Sequence, residues 1–200
     1  MKTGQKVIVS DYQDQVDALK FDVMRNIMYQ SAREGWYGRL HKTVMFFATV
    51  FGTGAAVTIL ASLPQYTSVT LGLLVAALTT LDLVVDLSGQ ARKHNGLRQR
   101  FYSVLAELED CIEDTTDLST IRKQMYALYA DEPVILRALD AICWNQTYLS
   151  LKQDPQFENL IHVSWFESLM RHVLPFDNSK FQYQYEKAAK PEAAASNTQT

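Results

Sequence analysis

From Thr43 to Leu81 the chain runs 39 residues without an Asp, Glu, Lys or Arg, broken near the middle by Leu63-Pro64-Gln65-Tyr66. The first half, Thr43 to Ser62, is about 20 mostly apolar residues, roughly the length a helix needs to cross a 30 Å hydrocarbon core. The second half, Thr67 to about Asp86, is as long and as rich in Leu, Val and Ala. Proline fits badly inside a helix, so Pro64 reads as the turn between two antiparallel spans. The pattern predicts a transmembrane hairpin over residues 43–88. A buried hairpin in a soluble bundle is the alternative, but soluble helices rarely extend this far without a polar face.

The flanks carry helical periods instead. Residues 1–9 show none and read as a flexible end or a short strand. Ser10 is placed to cap a helix whose first turn holds Asp11 and Asp14. Tyr12, Val16, Leu19, Val23 and Ile27 then form one apolar stripe, predicting a cytosolic amphipathic helix over 10–42 that packs on the chain's own helices. After the hairpin, Leu97, Phe101, Val104/Leu105, Leu108 and Ile112 repeat every three to four residues. A short helix follows over Leu118–Ala130. Asp131-Glu132-Pro133 reads as the start of another helix, over 134–146. Asp154-Pro155 reads as the start of a last one, whose Leu160, Ile161, Trp165, Phe166, Leu169 and Val173 make a wide apolar face. The cytosolic helical region spans 89–176, and residues 177–200 read as a disordered tail. The expected fold is all-α: a two-helix transmembrane hairpin with N- and C-terminal cytosolic helices forming a helical bundle.

Charge sets the expected orientation. Arg33, Arg39 and Lys42, with His41 beside them, precede the first span; Arg92, Lys93, Arg98 and Arg100 follow the second; Ser62 to Ser68 carries no charge. The positive-inside bias places both termini in the cytoplasm, with the first span acting as an uncleaved insertion signal. Trp36, Tyr37, Arg39 and Lys42 are the candidate interfacial anchors, and Gly35 and Gly38 permit a bend there. A net charge of −3 gives no sign of nucleic-acid binding. The whole-chain mean hydropathy of −0.12 hides the hairpin because the flanks are polar. Cys111 and Cys143 lie in helix-like stretches and read as buried small hydrophobes.

Two faces of small residues suit close helix approach in lipid: Ala48, Gly52 and Ala56 in the first span, and Gly72, Ala76 and Thr80 in the second. Asp82 and Asp86, one helical turn apart near the cytoplasmic end of the second span, are the residues most informative about chemistry. A carboxylate at that depth faces protein, water or a cation. Either Arg33, Arg39 or Lys42 neutralises the pair, or Asp82 and Asp86 line an aqueous path with Thr79 in an oligomer, where acidic rings favour cations. No catalytic constellation emerges: His41, His94, His162 and His172 are scattered, and no His/Cys/carboxylate group has metal spacing. No phosphate-cradling glycine loop or nucleophile elbow is present, so no enzyme, metal or cofactor is expected. The acidic run Glu107, Glu109, Asp110, Glu113, Asp114 and Asp117 lacks calcium-loop spacing and reads as a solvated helix face.

Tyr29-Gln30-Ser31-Ala32-Arg33-Glu34-Gly35-Trp36-Tyr37 leads into the two spans. Ala91-Arg92-Lys93-His94-Asn95-Gly96-Leu97-Arg98-Gln99-Arg100-Phe101 follows them, and Asp131-Glu132-Pro133-Val134-Ile135-Leu136-Arg137-Ala138-Leu139-Asp140 comes later. This order resembles the SLATT family of bacterial two-span membrane proteins, over residues 20–175. The resemblance implies a multi-pass protein of the bacterial inner membrane, a membrane-disrupting or pore-forming effector in bacterial and phage conflict. Its implied partners are the lipid bilayer, further copies of itself, and a separate sensor or nucleotide-signalling protein. It brings no catalytic residues. A non-conducting membrane scaffold presenting its cytosolic bundle to a partner, or a small constitutive ion channel, are the alternatives from other classes.

Overall fold

The computed structural model describes residues 2–53, 64–110, 118–152, 156–176 and 181–183. Among these the chain is helical, with no β-strand: α1 (Lys2–Gly52), α2 (Gln65–Val85), α3 (Leu87–Asp110), α4 (Ser119–Asp131), α5 (Arg137–Leu151) and α6 (Trp165–Met170), with a 3-10 turn at Phe157–Asn159. Residues 54–63, the link before Pro64, lie outside the described residues, as do Ala56, Cys111, Glu113, Asp114 and Asp117. The chain divides into two units, one of residues 1–30 with 97–200 and one of residues 31–96.

The first unit is built on three apolar stripes. Val16, Val23 and Ile27 of α1, Leu97, Phe101, Val104 and Leu108 of α3, and Ile121, Met125 and Leu128 of α4 form one buried cluster with Leu118, and Tyr12 and Leu19 pack against it. Each stripe recurs at three, four or seven residues, so each helix buries a single face. The first two match the periods read from the sequence. α1, however, is helical from Lys2, so Ser10 lies inside the helix rather than at its start; the helix passes through Gly35 and Gly38 without interruption. Lys20 reaches Glu109 at 3.1 Å, and Arg122 donates to Gln15 at 2.7 Å.

One predicted helix start does not form; the other, Asp154-Pro155, lies outside the described residues. Asp131 is the last residue of α4, and 132–136 is extended rather than the opening of a helix. Tertiary bonds explain this. Gln30 Nε2 donates to Glu132 Oε1 at 2.6 Å, and Leu136 N–H donates to the Tyr29 hydroxyl at 2.9 Å in a buried position. The segment is held straight between them, and α5 begins only at Arg137. Downstream, the apolar residues from Leu160 onward do not form one helix. Asn145 clamps Ile161 on both sides: its amide donates to the Ile161 carbonyl, and its carbonyl accepts from the Ile161 N–H, both at 2.8 Å. Ile161 also bridges to Tyr183, and His162 N–H donates to the Gln182 carbonyl at 3.0 Å. The chain beyond Pro175 thus returns to pack on the unit at 181–183. Only α6 remains helical, started by a capping box in which Ser164 accepts from Glu167 N–H while the Glu167 carboxylate accepts from Ser164 N–H.

Phe101 is fully buried while its neighbour Tyr102 is half exposed. Replacing Phe101 by Ala should cost about 3–5 kcal/mol, and Tyr102 by Ala no more than about 0.5 kcal/mol. Denaturant unfolding of the full chain in mild detergent checks both.

Candidate functional site

The second unit combines 31–52 of α1, α2, and 87–96 of α3. Among the described residues, α2 contains the one helical stretch long and apolar enough to cross a bilayer, and none of that stretch is buried within the protein. Leu71, Val75, Leu78, Thr79 and Asp82 are only partly covered, while Leu83 and Val84 are 81% and 77% exposed. On α1 the same holds for Met45, Phe46, Phe47 and Val50. A helix that is apolar on every side needs an apolar surround. Gly72, Ala76 and Thr80 all sit on the uncovered face of α2, and a side chain added at Gly72 would meet nothing within 4 Å. Ala48 is partly covered; the side-chain surroundings of Gly52 lie outside the described residues.

The three candidate polar residues are each engaged locally. Thr79 turns its hydroxyl back to the Val75 and Ala76 carbonyls at 3.0 Å, satisfying it within its own helix. Asp82 is 15% exposed, and its two oxygens lie 3.0 and 3.1 Å from His41 Nδ1. Its partner is therefore His41 rather than Arg33, Arg39 or Lys42. Asp86 leaves the helix altogether. At φ 50° and ψ 60° it ends α2 in the left-handed region, and its carboxylate accepts from Gly89 N–H at 2.9 Å in the first turn of α3. Aspartate tolerates that region better than most residues because its short side chain bonds locally. A Cβ at Gly89 would overlap the Asp86 carboxylate where it now sits, so a larger residue here would have to displace that cap. Asp82 and Asp86 therefore do not share a helical face, contrary to the one-turn spacing.

The predicted anchors Trp36 and Tyr37 face a polar cluster. The Arg33 guanidinium lies over the Tyr37 and Trp36 rings, 4.6 and 5.7 Å from their centroids, and donates to the Tyr37 hydroxyl at 2.6 Å. Tyr37 stacks on His94 at 5.6 Å, and Asn95 donates to Glu34 at 2.8 Å. Arg39 and Lys42 stay exposed. Burial first, then the charges of Arg33 and Lys93, push His94 down to about 4. The imidazole is therefore neutral at pH 7. No family model, curated protein or solved structure matches the chain.

Neither His41 nor His94 stood out in the sequence. Each sits in a basic segment that the charge bias explains by itself, and their partners, Asp82 and Tyr37, are set by helix register. The first unit adds a cavity of about 510 Å³ beside α1, lined in part by Asp22, Arg25, Tyr129, Glu132 and Asp140. Burial raises Glu132 to about 7, opposed by the Gln30 hydrogen bond, and burial also raises Asp140. The described residues hold no group of three metal-binding side chains.

These two groups act on stability with opposite sign. The unfolded chain binds the proton at His94 between pH about 4 and 6.5 and the folded chain does not, so His94 costs stability as pH falls through that window. His94→Phe should flatten that acid-side loss, read by thermal unfolding across pH. For Glu132 the folded chain holds the proton between pH 4.5 and about 7, so stability is lost as pH rises through that window. Glu132→Gln should gain on the order of 1 kcal/mol over the parent at pH 8 and nothing at pH 4, in the same measurement.

Proposed function

We propose that the chain is a membrane effector of the bacterial inner membrane, with both termini cytoplasmic, whose hairpins self-associate into a conductive or depolarising assembly. The observation that carries this reading is the uncovered apolar surface of α2, which water solvates poorly and lipid or another copy covers well. The free face of Gly72, Ala76 and Thr80 supports the self-association, since small side chains permit close helix approach. The His41–Asp82 contact supports a hairpin, because it joins residues at what would be the two cytoplasmic ends of the spans. One hairpin encloses no water-filled path, so several copies are required. The resemblance to SLATT proteins favours a role in bacterial or phage conflict, with a separate sensor or nucleotide-signalling protein as the trigger.

A second reading, the non-conducting scaffold, draws on the engagement of the candidate polar residues. Thr79 bonds its own helix, Asp86 caps the next one, and Asp82 meets His41, so these three residues form no free polar row in a single copy. Conduction would then need Asp82 to exchange His41 for water and cations in the assembly.

Induced expression with a voltage-sensitive dye separates the two. Depolarisation, abolished by Asp82→Asn, is the outcome expected of the effector. An unchanged membrane potential, or a detergent-extracted mass that stays monomeric, leaves the scaffold.

A further inference from the structure

We infer that a basic cavity on the second unit binds the phosphate of an anionic lipid headgroup. The cavity, about 380 Å³, opens between α1 and the start of α3, and Arg39, Lys42 and Arg92 line it. Three cations face one acid there, Glu34, whose Oε1 already accepts from Asn95. Among the described residues no carboxylate lies within ion-pair distance of Arg39 or Lys42, while Arg92 is steadied by a 2.7 Å hydrogen bond to the Ser88 hydroxyl. The cations are thus gathered on one opening and left un-neutralised, an arrangement that repels itself unless an anion joins it.

Shape favours a compact anion. A side chain at Gly38 would stand in open space within the cavity, and one at Gly35 would come 3.2 Å from the Arg39 guanidinium. Gly38 leaves room for a tetrahedral group against backbone, and Gly35 lets the Arg39 guanidinium lie close to the helix beside it. Guanidinium and phosphate match in geometry, with paired N–H donors meeting paired oxygens.

Depth selects a lipid over a free phosphate. The exposed apolar surface begins at Met45, three residues beyond Lys42, and α2 ends at Val85, seven residues before Arg92. At about 1.5 Å per helical residue, all three cations stand roughly 5–10 Å from the apolar boundary, the level of the headgroup layer. This rests on the reading that α2 lies in a bilayer, but not on conduction.

The test is native mass spectrometry of the full chain extracted in neutral detergent. It is supplied with phosphatidylglycerol, with phosphatidylcholine, or with inorganic phosphate, and run beside R39Q/K42Q/R92Q. We expect retained phosphatidylglycerol in the parent, weakened about fivefold per cation removed and on the order of 100-fold in the triple variant. Phosphatidylcholine should show no such dependence, and K123Q/K152Q, which removes charge elsewhere, should retain lipid as the parent does. Equal retention of both lipids, an unchanged triple variant, or an equal loss in K123Q/K152Q overturns the proposal. Displacement of phosphatidylglycerol by millimolar inorganic phosphate overturns the lipid source in favour of a free anion. A carbonate wash of expressing membranes keeps the two levels apart: release of the parent defeats the bilayer reading itself, whereas a retained parent without headgroup preference defeats only the cavity.

Discussion

Water has no hydrogen bond to offer Leu73, Leu83 or Val84, and α2 turns all three outward. A helix satisfies its own backbone, so what remains to be solved is the surface: every exposed methylene of α2 costs free energy in water and nothing in hydrocarbon. The first unit shows how the chain behaves when it can hide such surface internally. There Val16, Phe101, Leu108 and Met125 fall on single stripes, and three helices close over them. The second unit has no comparable partner for α2 among its described residues. The difference lies in the sequence pattern: one helix keeps its apolar residues on one side, whereas the other has them on every side.

That contrast also locates the change of environment along the chain. Asp86 marks it structurally, ending the apolar helix in the left-handed region and starting the polar one with its own carboxylate. An acid can serve as such a cap only where it is solvated or bonded, which suits the edge of an apolar layer and not its centre. Gly89 is coupled to this choice, because the cap occupies the space a side chain would need. The junction is a local device of two residues. It accounts for why two acids spaced one turn apart end in different surroundings.

The stripes on α1 and α3 were legible because burial writes a period into the sequence that needs no knowledge of partners. The all-helical fold follows from them. What was not legible depended on bonds between distant residues. Glu132 and Pro133 carry a good local signal for a helix start, but Gln30 and Tyr29, about a hundred positions away, hold the segment extended. Asn145 does the same to the apolar run at Ile161, where a periodic pattern promised a long helix. In each case one or two tertiary hydrogen bonds outweighed a propensity worth a few tenths of a kcal/mol per residue. At the candidate site, the identities Asp82 and Tyr37 could be read but not their partners. His41 and His94 are brought to them by helix register, which composition does not encode.

The polar residues around 33–42 and 91–95 then take on a consistent meaning. Arg33 is spent on aromatic rings, with its charge held over Tyr37 and Trp36, and this same charge helps keep His94 neutral. Neutralising His94 removes one positive group from a region already rich in them. The remaining cations, Arg39, Lys42 and Arg92, are not drawn into the packing but stay at the surface. A segment that needed positive charge only for orientation could scatter it anywhere along the polar flanks. Here one cation is used internally, one imidazole is discharged by burial, and three others converge on a single glycine-lined opening. The arrangement separates structural charge from charge left facing the opening, and the proposed anion site rests on this separation.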